Sequence, residues 1–105
     1  MRPNPVGWFE IYVNDMDRAK TFYSKVLQTE FSRLESSPEI EMWAFPMDMK
    51  SQGAGGTLAK MKGFKAGDNS TIVYFISDDC EIEQKRIVSA GGKVQKAKTS
   101  IGQYG

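Results

Sequence analysis

Trp8, Glu10 and Tyr12 stand at every second position of the stretch VGWFEIYV, so in an extended chain they share one face. An acid between an indole and a phenol can act as a general base or pair with a basic ligand. Either role needs burial to raise its pKa or a cation to pair with it. The same carboxylate could instead rest on a hydroxyl of Tyr12 or Tyr74, or reach solvent. Trp8, Trp43, Phe45, Tyr74 and Tyr104 could cage a planar or cationic ligand, or simply fill a sheet interior. Met42, Met47, Met49 and Met61 suit an adaptable apolar lining, although methionines at such spacing more often only fill gaps in a core. The stretch Gly53-Ala54-Gly55-Gly56 has neither the lysine nor the following helix of a phosphate loop, and reads as a flexible lead into a strand. Cys80 stands where a helix begins and its dipole could favour a thiolate, but with no histidine beside it a nucleophilic role is not expected.

Much other chemistry is excluded by what the chain lacks. There is no histidine, hence no Ser-His-Asp or Cys-His relay, no HExxH zinc helix and no imidazole base. The single cysteine cannot form an internal disulfide. Fourteen basic residues balance 13 acidic ones, leaving a net charge of +1 and no field to attract nucleic acid. No apolar run approaches the ~20 residues of a membrane span, and MRPNPVGW is not a secretory leader, so a cytoplasmic protein is expected. A chain of 105 residues suits one domain, 1–105.

Hydrophobic spacing supplies the elements. Residues 6–13 read as a strand, and Asp15 caps a helix over 16–28 with Met16, Ala19, Tyr23 and Val26 along one stripe. Phe22, Tyr23, Val26 and Leu27 are expected to anchor that helix on the strand face of Phe9, Ile11 and Val13. Short strands follow at 31–35, 40–45 and 57–61. The order then begins again, with a strand at 71–77, Asp78-Asp79 capping a helix that reaches about residue 90, Gly91-Gly92 ending it, and a strand at 93–97. An offset of 64 residues lays Trp8 on Ile72, Glu10 on Tyr74 and Asp15 on Asp79 without a gap, so a duplicated unit is expected: one copy over about 6–62, the other over about 69–105.

Two βαβββ units in tandem, with Val13, Asp15, Met16, Arg18, Ala19, Phe22, Tyr23, Val26, Leu27 and Phe31 spaced as they are, resemble the vicinal oxygen chelate superfamily. This group contains glyoxalase I, extradiol dioxygenases and the bleomycin and fosfomycin resistance proteins. Gly55-Gly56-Thr57-Leu58 and Ala90-Gly91-Gly92-Lys93-Val94 extend the resemblance across most of the chain. It implies an α+β fold whose curled mixed sheet encloses a concave cleft, with the second unit incomplete at the C-terminus. It also implies a divalent metal on His, Gln or Glu, but the corresponding positions fall on Trp8, Ile72 and Thr57 or Ala59. None of these is a ligand for a hard cation.

The resulting expectation is a domain without metal or cofactor that binds a small aromatic or apolar molecule through Trp8, Glu10, Tyr12, Trp43 and Tyr74. No catalytic residue is assigned. Two alternatives stand beside it: a metal-dependent lyase, isomerase or dioxygenase using Glu10, Glu41 and groups outside this sequence, and a structural dimerisation module. An open sheet edge would favour a homodimer. Neither nucleic acid nor a membrane is an expected partner.

Overall fold

A computed structural model describes residues 3–104, which group into two compact units, 3–76 and 77–104. The larger unit is one five-stranded mixed sheet with a helix. Its strands are β1 (Val6–Tyr12), β2 (Ser32–Leu34), β3 (Ile40–Ala44), β4 (Gly55–Met61) and β5 (Thr71–Phe75), and its helix is α1 (Met16–Leu27). They lie in the order β2-β3-β4-β1-β5, open at both edges. β1 runs parallel to β4 and antiparallel to β5, as a strand–helix crossover and a return strand require. The smaller unit holds α2 (Cys80–Ile87) and a 3-10 turn at Gly102–Tyr104. Among the described residues no helix is long and apolar enough to cross a membrane.

Local chemistry sets the helix ends. The Asp15 side chain accepts from the Arg18 N–H, satisfying one of the donors a helix start leaves free. Gln28 closes α1 in the left-handed region at φ 50°. Asp79 accepts from the Glu81 N–H, while the Asp79 N–H donates to Ser77 Oγ. Lys98 Nζ lies 2.9 Å from Asp79, holding that carboxyl below its usual range.

The helix is anchored differently from the expectation drawn from its apolar stripe. Met16 is its buried residue, whereas Phe22, Val26 and Leu27 are 57%, 61% and 55% exposed. Tyr23 is the part of that stripe that reaches the sheet, packing edge-on against Phe45 at 6.2 Å. Phe45 also meets Phe9 at 5.5 Å and Phe31 at 4.7 Å, so of the four residues expected to anchor the helix Tyr23 does so, within an aromatic cluster. In place of a flexible lead-in, Gly55 and Gly56 form the first residues of β4. A Cβ on Gly56 would stand 2.6 Å from the Phe9 ring, so only glycine lets that ring lie over the strand.

In the smaller unit the strand expected at 93–97 does not form, and α2 stops at Ile87. The stretch Lys93-Val94-Gln95-Lys96-Ala97 offers one β-branched residue and two lysines, too little apolar surface to hold a strand.

Candidate functional site

Strand register decides which side chains share a face. Glu10 pairs with Thr57 and Thr57 with Ala44; Tyr12 pairs with Ala59 and Ala59 with Met42. On the other flank Trp8 pairs with Tyr74 and Glu10 with Ile72. One face therefore carries Trp8, Glu10, Tyr12, Ile72 and Tyr74 with the small Gly55, Thr57 and Ala59 between larger neighbours. The opposite face carries Phe9, Leu58, Glu41 and Trp43.

At the centre of the first face is a buried carboxylate, Glu10, 9% exposed. Its Oε1 accepts from the Tyr12 hydroxyl at 2.8 Å and from the Tyr74 hydroxyl at 2.8 Å. Its Oε2 accepts from the Trp8 indole N–H at 3.3 Å. All three donors are neutral, and the ion pairs Lys20–Asp17, Arg33–Glu41 and Lys98–Asp79 lie elsewhere. Burial, and after it the hydrogen bond to Glu10, pushes the Tyr74 phenol up to about 12; the same causes, in the same order, raise the Tyr12 phenol further. Both phenols thus stay protonated and donating across the physiological range. Oε1 is served twice and Oε2 once, at the longer distance, so Oε2 keeps room for another donor.

Trp8, Glu10, Tyr12 and Tyr74 are brought together as the sequence suggests. Trp43 is not: the pairing of Trp43 with Leu58 turns it to the helix-bearing face. There its indole N–H donates to Glu41 Oε2 at 2.7 Å, and Lys20 Nζ sits 3.3 Å from the ring centroid. Phe45 joins the aromatic cluster on that same face, and Tyr104 lies in the smaller unit. Phe64 enters without a sequence warning beyond its place after Gly63. Its ring meets that of Tyr12 at 4.8 Å between centroids, tilted by 51°. A groove of about 410 Å³ runs along Lys20, Lys25, Phe31 and Trp43, and another of about 320 Å³ along Val13, Arg18 and Phe22. Both border α1.

The donor set does not fit the divalent cation that the superfamily resemblance implies. Trp8 and Ile72 bring no lone pair, Ala59 none, and Thr57 Oγ1 donates to Met42 Sδ at 3.7 Å. Glu41, the second acid of the metal-dependent alternative, stands on the opposite face from Glu10. Among the described residues no group of three or more His, Cys, Asp or Glu is placed to hold a metal.

Comparison with solved structures returns Streptomyces coelicolor methylmalonyl-CoA epimerase in complex with 2-nitronate-propionyl-CoA, in several single-substitution variants. A variant with one glutamine replaced by alanine matches with a TM-score of 0.60 at 17% identity, over 94% of this chain and 80% of that one. A variant with one glutamate replaced by glutamine matches at 0.61 and 16%, over 94% and 80%. A third, with that glutamate replaced by leucine, matches at 0.59 and 15%, over 94% and 78%. At such identity the likeness is one of fold. No curated protein sequence matches. Residues 6–104 match the sequence profile of the Glyoxalase/Bleomycin resistance protein/Dioxygenase superfamily, and the chain belongs to that family.

Proposed function

We propose that this domain binds a small aromatic or apolar molecule, without a metal, on the Glu10 face of the sheet. The supporting observation is a buried carboxylate whose three hydrogen-bond donors are neutral and whose Oε2 has room for one more. Its neighbours are the rings of Trp8, Tyr12 and Tyr74. A flat ligand with a positive or N–H-bearing edge satisfies both features: its ring stacks on Trp8 and Tyr74 while the edge meets Oε2. Such a ligand adds a fourth partner to a carboxylate whose present donors are all neutral. The epimerase neighbours are in complex with 2-nitronate-propionyl-CoA, and ligand binding on this fold agrees with the reading at the level of a shared fold.

The test is a titration followed by Trp8 fluorescence in a Trp43→Phe background, with quinoline as the neutral probe and N-methylquinolinium as its cationic counterpart. Saturable quenching by the cation at least tenfold tighter than by quinoline is expected, unchanged by added Mn2+, Ni2+ or Zn2+. Silence with both probes, or binding that requires one of those metals, would overturn the proposal.

A further inference from the structure

Across the sheet, the register sets Tyr74, Trp8 and Gly55 in one row at the end of the Glu10 face. The next row is Ile72, Glu10, Thr57 and Ala44, where β3 ends. Beyond Ala44 the chain runs through a loop to β4, and one side chain of that loop returns to the first row. A Cβ on Gly55 would stand 2.9 Å from Met47 Sδ, 3.1 Å from Met47 Cγ and 3.4 Å from Cζ3 of Trp8. Met47 thus occupies the place that a Gly55 side chain would take, on the same face as Trp8 and next to its ring. Glycine at this position is what leaves the place open.

The loop is built to hold Met47 there. Pro46 before it has a fixed φ. After it, the Asp48 carboxylate accepts from the Lys50 N–H at 2.9 Å and from the Ser51 hydroxyl at 3.1 Å. The Ser51 N–H donates to the Asp48 carbonyl at 3.0 Å, which closes a turn directly behind Met47. Met49, two residues on, is entirely exposed, whereas Met47 is half-covered. The same loop therefore carries one methionine seated beside Trp8 and one that stands in solvent.

We infer that Met47 determines which ligands the Glu10 face admits, by setting their length along the row of Tyr74, Trp8 and Gly55. The inference rests on the reading that this face binds a flat molecule with a positive edge, and adds a limit to its size. Neighbouring strands lie about 4.8 Å apart, so two fused rings cover Tyr74 and Trp8, and a third in line reaches Gly55 and meets the thioether. Flat cations of two fused rings are admitted, and linear three-ring ones are held off. Because methionine is unbranched, with three rotatable bonds, the stop yields: longer ligands bind more weakly and are not shut out.

The test titrates Trp8 fluorescence in the Trp43→Phe chain with N-methylquinolinium and with N-methylacridinium. The two-ring cation should bind at least tenfold more tightly. Met47→Ala should raise the affinity for the three-ring cation at least tenfold and move that for the two-ring cation less than twofold. Met47→Leu, which keeps the bulk, should retain the preference, and Met49→Ala should leave both affinities as they were. No preference in the chain with Met47 in place, a preference unmoved by Met47→Ala, or an equal change for both cations in that variant would overturn the inference and leave the two-ring site standing. So would the same gain in Met47→Leu or Met49→Ala. Silence with both cations while Met47 is in place would overturn the binding reading itself, and the inference with it.

Discussion

Two strands carry the same pair of side chains at the same spacing, and the two pairs have different surroundings. On β1 the Trp8 indole donates to Glu10 Oε2 at 3.3 Å; on β3 the Trp43 indole donates to Glu41 Oε2 at 2.7 Å. Around Glu10 stand two phenols and aromatic rings. Around Glu41 and Trp43 stand Arg33, 3.9 Å from the carboxylate, and Lys20, over the indole. The β3 pair is therefore a closed surface cluster in which cation, ring and acid satisfy one another. The β1 pair centres on a buried carboxyl group with neutral donors. The fold thus sets cations beside one tryptophan–glutamate pair and only neutral donors beside the other.

The contrast should be widest in stability. Glu10→Ala leaves the buried Tyr12 hydroxyl without its acceptor and should cost about 2–3 kcal/mol in urea unfolding. Glu41→Ala should cost about 0.5 kcal/mol or less, as expected of an exposed ion pair. Equal costs would erase the distinction. Next in size, Tyr12→Phe should cost about 1 kcal/mol, because Tyr12 is buried. Tyr74→Phe should cost less in the same assay, since water replaces its partner at a half-open position. The third effect is alkaline. A phenol raised in the folded state contributes stability that is full below the ordinary tyrosine value near 10 and is lost as the pH rises toward the folded value. For Tyr74 that window runs from 10 to about 12, and Tyr74→Phe should flatten the loss in a pH series of melting temperatures. Smallest of all, Lys20→Met should cost about 0.5 kcal/mol through its contact with Trp43, and should leave fluorescence from Trp8 unaltered.

Much of the larger unit is written locally. The cap at Asp15 and the alternation of Trp8, Glu10 and Tyr12 are short-range patterns, and the structure places each of them as spaced. The meeting of Glu10 with Tyr74 was legible through the 64-residue offset. Trp43 shows where such reading ends. Its alternation within β3 was evident, but which face it joined depended on the pairing of β3 with β4, which no local pattern encodes. Phe22, Val26 and Leu27 show the same limit for α1: periodicity marks an apolar stripe but not how much of it a narrow sheet can cover. The strand expected at 93–97 does not form, and two lysines among its five positions with one β-branched residue are the reason.

Calorimetric titration of N-methylquinolinium into the native chain, Glu10→Gln and Glu41→Gln tests the central distinction most directly. The native chain and Glu41→Gln should bind with equal affinity, and Glu10→Gln at least tenfold more weakly. Undiminished binding by Glu10→Gln, or a matching loss in Glu41→Gln, would contradict the assignment of the site to the Glu10 face.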